Sequence, residues 1–284
     1  MKIGIIGNGF VGKATNILKC EDIDIYCYDI VPEACVPLGT TLLDLVEKCT
    51  IIFISVPTPM DSNGKCYLKI LETVVNQIEN LHYKGFLCIR STVPVGTSKR
   101  LQCYFMPEFL TEANFEEDFI TNKCWIFGML ETDTVERQTE FIRHIKKLFH
   151  DAHRAKKIKY DTIQFVLSEE AEMIKLFRNC FLATKVAFCN EMYQFCSLKN
   201  VNYENVRKLA TMDERITESH SKVPGKDGHF GFGGTCFPKD MSNLCYTMKE
   251  TGMKSFIIQS AIDRNEQIDR KEKDWLQDKG RASV

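Results

Sequence analysis

A glycine pattern near the start of the chain constrains the fold more than any other feature of the sequence. Gly7, Gly9 and Gly12 follow a short apolar stretch that starts at Lys2, and a helical stretch starts at Phe10. A Gly-x-Gly-x-x-Gly pattern between a strand and a helix is typical of dinucleotide-binding folds. The first glycine permits a tight turn, the second admits a pyrophosphate, and the third lets the helix pack closely. The N–H groups at the helix N-terminus would then bind the phosphates.

An acidic residue indicates which dinucleotide this pattern binds. Asp29 ends the second predicted strand, residues 23–29, and follows the glycines by about 20 residues, where such folds carry a ribose-binding acid. A carboxylate there accepts a hydrogen bond from a ribose 2′-hydroxyl and repels a 2′-phosphate. We therefore predict NAD as the cofactor rather than NADP. The alternative is a tight turn that binds no ligand.

Short strands alternate with helical stretches through the first half of the chain. Further strands are predicted at residues 50–56, 86–91, 104–106 and 125–129. Such alternation predicts βαβ units and a parallel sheet. From residue 168 to residue 200 the chain has no proline or glycine and has the pattern of one long helix. We predict an α/β fold, with a Rossmann-like doubly wound parallel sheet over residues 1–166 and an all-helical dimerisation domain over residues 167–284.

The predicted long helix is apolar around most of its circumference, from Met173 to Cys196. At about 1.5 Å per residue it would be roughly 45 Å long, more than a small second domain could cover alone. We therefore predict a homodimer or a higher homo-oligomer paired through this helix. Charged residues are dense after Asp263, and this tail is predicted to be a solvated helix.

The composition excludes several classes of function. The 37 basic and 38 acidic residues leave a net charge of −1, so no basic surface for nucleic acid is expected. No apolar run approaches the about 18 residues of a membrane span. The 13 cysteines occur without an export signal, which predicts a cytoplasmic protein with free thiols. His150 and His153 lie among basic residues and are interpreted as a solvated helix end, so no metal is predicted.

One cysteine lies in an unusual setting. Cys236 is preceded by a glycine-rich run, residues 231–234, and is followed by Lys239 and Asp240. Glycines let a backbone approach a ligand closely, and nearby cations or oriented dipoles turn a thiol into a nucleophile. The alternative is a buried structural cysteine, which is common among free thiols. The flanking pattern favours the nucleophile.

Several polar pairs accompany this loop. Glu108 and Glu112 are four residues apart in residues 107–112, and Lys175 and Asn179 have the same spacing on the long helix. Polar residues four apart share one face of a helix. Such pairs often only decorate a surface, but the helix that carries Lys175 and Asn179 is otherwise apolar. Two further segments, residues 55–59 and 91–97, follow predicted strands and could form the rim of a cofactor site.

Together these segments resemble the UDP-glucose/GDP-mannose dehydrogenase family from Met1 to about Asp269. The most specific matching runs are residues 91–96 and 107–112. Further matches are residues 171–175, 179–185, 190–191, 213–216 and 231–240. The resemblance implies an NAD-dependent four-electron oxidation. The C6 alcohol of a nucleotide sugar becomes a carboxylate, most closely UDP-glucose to UDP-glucuronate, and two NAD are reduced.

The resemblance also implies roles for single residues. Cys236 would capture the aldehyde as a thiohemiacetal and become a thioester, because an aldehyde has no hydroxyl from which to start a second oxidation. Lys175 and Asn179 would stabilise oxyanions, and Asp240 would assist Lys175 in deprotonation. The other implied catalytic residues, Thr92 and Glu112, would position a water, with Glu112 as base. Substrate binding is assigned to Glu108, Phe109, Leu110, Lys175, Asn179, Arg215, Phe232 and Gly233, and cofactor binding to Gly7, Gly9, Phe10, Val11, Gly12, Asp29, Thr58, Thr92, Glu112 and Lys239.

The length of the chain departs from the family. Members usually carry a third, C-terminal α/β domain that completes the nucleotide-sugar site, whereas this sequence ends at Val284. We therefore expect a short form without that domain. Two alternatives stay open: the same chemistry on GDP-mannose or a UDP-N-acetyl sugar, and a non-catalytic NAD-binding subunit. The intact set of Cys236, Lys175, Asn179 and Glu112 argues against the second of these.

Overall fold

A seven-stranded sheet dominates the first part of the chain, in a computed structural model that describes all 284 residues. The strands are Lys2–Ile6 (β1), Asp24–Tyr28 (β2), Ile51–Ile54 (β3), Phe86–Ile89 (β4), Tyr104–Phe105 (β5), Trp125–Met129 (β6) and Ile163–Leu167 (β7). Their order is β2-β1-β3-β4-β5-β6-β7. Only the β5–β6 pair is antiparallel. The chain reverses its direction of growth between β1 and β3, as in doubly wound folds, and the predicted fold class is confirmed.

Helices connect these strands and cover them. They are Phe10–Asn16 (α1), Leu42–Lys48 (α2), Lys69–Asn80 (α3), Thr97–Arg100 (α4), Phe115–Ile120 (α5) and Val135–Arg154 (α6). Helix α2 begins with a capping box between Thr41 and Asp44, which satisfies backbone donors at the helix start. Two separate apolar clusters form, one that includes α6 and one that includes α3. The carboxyl ends of the parallel strands are left for loops.

One strand was missed by the sequence analysis. Strand β7 pairs with β6 in parallel, but none of its residues is fully buried. The sequence of β7, Ile-Gln-Phe-Val-Leu, has no feature that separates the strand from the long helix, which begins at the next residue. The helical stretch predicted to start at Phe10 is present and ends at Asn16, and the predicted strands of this part are present within a few residues.

Helices make up the second part of the chain. They are Ser168–Leu198 (α7), Tyr203–Ala210 (α8), Phe237–Glu250 (α9) and Ile257–Arg264 (α10), followed by a π-helical turn at Asn265–Asp269 and a 3-10 turn at Asp274–Gln277. Two compact units divide the chain, Met1–Thr58 with Leu68–Lys175 and Pro59–Tyr67 with Leu176–Val284. The division therefore falls inside α7. None of the helices combines the length and the apolar character that crossing a bilayer requires.

The C-terminal tail is not the solvated helix that its charge density suggested. Asn265, Arg270 and Trp275 are at most 4% exposed. The backbone of Met60 exchanges hydrogen bonds with the last residues, accepting from Val284 and donating to Ala282. The prediction was wrong because several charges of the tail are paired within the fold, Arg270 with Asp227 and Asp274 and Lys273 with Glu266. Charge density alone does not distinguish paired from solvated groups.

Candidate active site

The glycine turn between β1 and α1 is shaped by close backbone contacts. Gly7 has φ +90°, and a Cβ on it would lie 2.6 Å from the carbonyl oxygen of Ser55. A Cβ on Gly12 would lie 2.0 Å from the carbonyl oxygen of Gly7. At Gly9 a Cβ would meet nothing within 4 Å. Gly7 and Gly12 are therefore required by the turn itself, whereas the open space at Gly9 suits the backbone approach of a pyrophosphate.

Asp29 lies directly after β2 and is oriented by the same turn. Its carboxylate accepts hydrogen bonds from the backbone N–H of Asn8 at 2.6 Å and of Val31 at 2.9 Å. The Asn8 side chain in turn donates to the carbonyl oxygen of Ala34 at 2.7 Å. The carboxylate is thus fixed beside the glycine turn and half-exposed, as a ribose-binding acid requires.

The loops after β3 and β4 are tied to each other at the carboxyl edge of the sheet. The Thr58 hydroxyl donates to the carbonyl oxygen of Thr92 at 2.7 Å, and the Ser91 hydroxyl donates to that of Val56 at 2.6 Å. Ligands of doubly wound folds bind at this edge, near the point where strand order reverses. The structure therefore brings together Thr58 and Thr92, two of the predicted cofactor residues.

A buried ion pair lies in the same unit. The Lys175 ammonium donates to Glu108 twice, to Oε1 at 2.5 Å and to the backbone carbonyl oxygen at 2.7 Å. Burial by itself raises the pKa of Glu108, but the charge and hydrogen bond of Lys175 outweigh it, so the pKa is lowered. Glu108 is therefore ionised at neutral pH. The Phe109 ring lies 5.9 Å from the Lys175 ammonium, so three predicted substrate residues are neighbours.

Two buried charged groups lie near these loops. Arg90 was not noted in the sequence, whereas Glu172 lies in the matching run 171–175 but was assigned no role. Arg90, only 1% exposed, donates to the Thr15 hydroxyl, and burial lowers its pKa to about 10 although the charge of Glu108 opposes this. Glu172 accepts from the backbone N–H of Gly96 at 2.6 Å and of Ser98 at 2.7 Å. The position of Arg90 next to Ser91 was the available signal, because strand ends carry functional residues in such folds.

In the second unit, Asp240 is the centre of a buried network. Asn179 donates to one carboxylate oxygen of Asp240 at 2.6 Å, and Lys239 donates to the other at 2.6 Å. Burial by itself lowers the pKa of Lys239. The charges of Asp240 and Cys236 and the hydrogen bond to Asp240 outweigh this effect, so the pKa of Lys239 is raised. Both oxygens of Asp240 are therefore fixed. Lys239, predicted to bind cofactor, is found as the partner of Asp240.

Cys236 occupies the N-cap position of α9, and Pro238 lies within the first turn. The carbonyl oxygen of Cys236 accepts a hydrogen bond from the backbone N–H of Asp240 at 3.0 Å, and this is the first backbone hydrogen bond of the helix. The positive end of a helix dipole favours an anionic sulfur at this position. Cys236 is half-buried, in contrast to Cys88 and Cys103, which are buried and whose thiol pKa values are raised by burial.

The remaining predicted residues differ in their exposure, and the Leu110 N–H donates to Oε2 of Glu108 at 2.9 Å. Arg215 is at the surface, with a side chain 88% exposed, and pairs with Asp213. Glu112 is exposed at the start of the 3-10 turn Glu112–Asn114, and Leu110 is half-buried. Phe232 is buried and Gly233 is half-buried in the loop before Cys236. No group of three or more His, Cys, Asp or Glu side chains is arranged to hold a metal ion.

Two segments of the chain match domain models of one known protein family. Residues 36–149 match the NAD binding domain of the UDP-glucose/GDP-mannose dehydrogenase family, and residues 169–267 match its central domain. The chain belongs to the UDP-glucose/GDP-mannose dehydrogenase family. The family resemblance and the NAD cofactor expected from the sequence are thereby confirmed, and the open space at Gly9 beside Asp29 fits a dinucleotide.

Individual relatives support the same assignment. The UDP-glucose 6-dehydrogenase TuaD of Bacillus subtilis is 29% identical over 93% of this chain and 63% of its own length. The UDP-glucose 6-dehydrogenase of Pseudomonas aeruginosa is 28% identical over 93% of this chain and 65% of its own. The chain thus spans slightly less than two thirds of the length of these two relatives.

Solved structures show the same fold at lower sequence identity. A UDP-glucose dehydrogenase from Pyrobaculum islandicum has a TM-score of 0.78 with 22% identity, over 93% of this chain and 68% of its own. A UDP-D-ManNAc dehydrogenase from Pyrococcus horikoshii has a TM-score of 0.73 with 22% identity, over 94% of this chain and 68% of its own. The two substrates differ, so the fold alone does not identify the sugar.

Proposed function

We propose that the chain oxidises the C6 alcohol of a nucleotide sugar to the carboxylate, with UDP-glucose as substrate, UDP-glucuronate as product and Cys236 as nucleophile. One observation carries the proposal. The half-buried Cys236 is the N-cap residue of α9, and one turn later Asp240 is fixed by Asn179 and Lys239. In a chain of this family, a thiol at a helix N-terminus beside an ordered polar network suits covalent catalysis.

Cofactor binding is assigned to the first unit. The turn at Gly7, Gly9 and Gly12 would hold the pyrophosphate, and Asp29 would accept from the ribose. Thr58 and Thr92 would contact the cofactor at the carboxyl edge of the sheet. NAD supplies the hydride acceptor in each of the two oxidations.

The first oxidation needs a base and donors for an oxyanion. Lys175 and Asn179 are one turn apart on α7, so both side chains project from the same side of that helix. An ammonium and an amide are suitable donors to a developing alkoxide. In this proposal Asp240 assists Lys175 in deprotonation by accepting the hydroxyl proton, which then passes to solvent, and Glu108 keeps Lys175 in a fixed orientation. Loss of hydride from C6 then gives the aldehyde.

The second oxidation passes through the thiol. The sulfur of Cys236 bonds to the aldehyde carbon, and the oxygen takes a proton, which gives a thiohemiacetal. Loss of a hydride and of that proton leaves a thioester. Water, positioned by Thr92 and deprotonated by Glu112, then breaks the carbon–sulfur bond, restores the thiol and releases the carboxylate. The sum is one sugar oxidised by four electrons with one water consumed.

NADH formation on mixing the chain with UDP-glucose and NAD tests this function. We expect two NADH per sugar from the wild type, and at most one NADH per sugar, formed slowly, from a Cys236→Ala variant prepared in parallel. GDP-mannose and UDP-N-acetylmannosamine, assayed in the same way, distinguish the alternative substrates. NAD binding without NADH formation from any of these sugars would contradict the proposal and favour a non-catalytic subunit.

We also infer that two copies of the chain pair through α7. Phe177, Phe181, Phe188 and Phe195 are each 56–63% exposed on this helix. Their spacing of four, seven and seven residues keeps them on one side, so they form a continuous aromatic stripe. Burial of one such ring stabilises by about 1.5–3 kcal/mol, and a stripe of this length is unusual on a monomer surface. A second copy would present the same stripe about a two-fold axis.

A further inference from the structure

The backbone of the loop before Cys236 is held by one side chain from the C-terminal segment. Asn265 donates to the carbonyl oxygen of Phe232 at 2.8 Å and accepts from the N–H of the same residue at 2.8 Å. Asn265 is buried, as is Phe232. A carboxamide that pairs with both backbone groups of one residue fixes the orientation of both adjoining peptides. This pairing joins positions that are 33 residues apart.

A second side chain from the same segment lies against the loop. The three atoms closest to a Cβ built on Gly233 all belong to the Arg270 guanidinium, the nearest at 2.4 Å. The guanidinium is itself fixed by Asp227 at 2.7 Å and by two bonds of 2.8 Å to Asp274. Arg270 therefore fills the space that a side chain at position 233 would need.

The glycines of the loop match these two side chains. Gly231 has φ +67°, and a Cβ there would lie 2.2 Å from Oδ1 of Asn265. Its N–H donates to Oδ1 of Asn190 at 3.0 Å. Gly233 does not lie in the left-handed region, so the nearby Arg270 guanidinium, and not the backbone conformation, excludes a larger residue there. The absence of a side chain at Gly231 and Gly233 thus leaves room for the side chains of Asn265 and Arg270.

We propose that Asn265 and Arg270 are positioning residues that fix the loop 231–233 and through it the thiol of Cys236. The inference rests on the proposed function for its catalytic consequence, but not for its structural content. Glycine loses more conformational freedom on folding than any other residue, so this loop needs external contacts to keep one conformation. A thiol must approach the aldehyde carbon within a narrow range of geometry, and small displacements lower the rate steeply.

Hydrogen exchange of the loop amides tests the structural content without any substrate. In an Asn265→Ala variant we expect the Phe232 amide to exchange at least about ten-fold faster, a change that corresponds to about 1.4 kcal/mol. Lys273→Ala is the matched control, because Lys273 lies in the same segment and pairs with Glu266. Unchanged exchange at Phe232 in a folded Asn265→Ala protein would overturn the proposal.

A double substitution tests the contact between Arg270 and Gly233. Gly233→Ala alone should displace the loop, because its Cβ meets the guanidinium. Combined with Arg270→Ala, which removes that guanidinium, Gly233→Ala should add little to the exchange rate. Equal effects of Gly233→Ala in the presence and absence of Arg270 would overturn this part. This design remains informative if Asn265→Ala does not fold.

Kinetics test the catalytic consequence. Asn265→Ala and Arg270→Lys should lower kcat about ten-fold or more and leave the KM for NAD unchanged, since the glycine turn is untouched. Asn265→Asp keeps the acceptor for the Phe232 N–H but loses the donor, so we expect an intermediate kcat. Normal kcat in variants with faster loop exchange would refute the positioning role. A wild-type chain without activity would refute the proposed function, while the exchange experiments would still decide on the loop contacts.

Discussion

Asn179 and Asp240 are joined by a hydrogen bond of 2.6 Å between two buried side chains, one on α7 and one on α9. Burial of a carboxylate is costly unless its oxygens are paired, and here Lys239 takes the second oxygen. The bond therefore connects the helix that carries the proposed oxyanion donors to the helix whose N-cap residue is Cys236.

Removal of the Asp240 carboxylate should destabilise the protein. Asp240→Ala removes the partner of the Lys239 ammonium, whose side chain is 11% exposed, and breaking one half of a buried pair costs up to about 3–5 kcal/mol. Asp240→Asn keeps the shape of the side chain, so we expect a smaller loss of stability and a strong decrease in the first oxidation. Urea unfolding together with NADH assays checks both. A fully active, fully stable Asp240→Ala protein would show that the network has neither role.

Replacement of the nucleophile should separate the two oxidations. Cys236→Ala should form no acid and no thioester, with at most slow aldehyde formation. Cys245→Ala is the control, because Cys245 is another half-buried cysteine on the same helix. Glu112→Gln should slow thioester hydrolysis, so mass spectrometry should detect an adduct on Cys236. Two NADH per sugar at the normal rate from Cys236→Ala would exclude the covalent route.

Cofactor choice should depend on Asp29. We expect NAD to bind better than NADP, because the carboxylate would face the 2′-phosphate. Asp29→Ala should weaken NAD binding by about ten-fold or more and narrow the difference between the two cofactors, since hydrogen bonds to charged groups contribute about 1.5–3 kcal/mol. Asp24→Ala, on the exposed side of the same strand, is the control. Equal calorimetric affinities of the wild type for both cofactors would contradict the assignment.

Acid should destabilise the first unit through Glu108. Its folded pKa is lowered from 4.5, so its contribution to stability is present above about pH 4.5 and is lost as the pH falls below that value. Glu172 has the opposite effect on the pH dependence of stability, because burial raises its pKa. Its contribution to stability is present in acid and is lost as the pH rises through its pKa in the folded protein. Urea unfolding between about pH 3 and pH 7 should show a weaker loss of stability in acid for Glu108→Gln, and a steeper loss for Glu172→Gln. The same slope in all three proteins would contradict this account.

Self-association should depend on the aromatic stripe of α7. Light scattering should find a dimer for the wild type and a monomer for Phe188→Glu or Phe195→Glu, because a charge in a buried interface is strongly unfavourable. Val135→Glu, at a residue 74% exposed in the other unit, should leave the dimer intact. A monomeric wild type at micromolar concentration would contradict the proposed interface.

Local patterns predicted much of the fold. The glycine turn, Asp29 after β2 and the uninterrupted helix α7 were all predicted, because each depends on contacts between neighbours in sequence or on a repeating apolar pattern. The pair Lys175 and Asn179 was predicted from the same helical spacing, and its catalytic role stays a prediction. Strand β7 was missed because an edge strand without buried residues has no strong period.

The sequence by itself determined the type of fold, the cofactor and the residues that belong to the family's motifs. Only the tertiary structure decided what holds those residues. Arg90 reaches Thr15 across 75 positions, and Asn265 reaches Phe232 across 33. The charged tail, expected in solvent, supplies the buried Asn265 and Arg270. Pairs of polar groups so far apart in sequence form only when distant segments pack together. A local sequence pattern therefore cannot predict them.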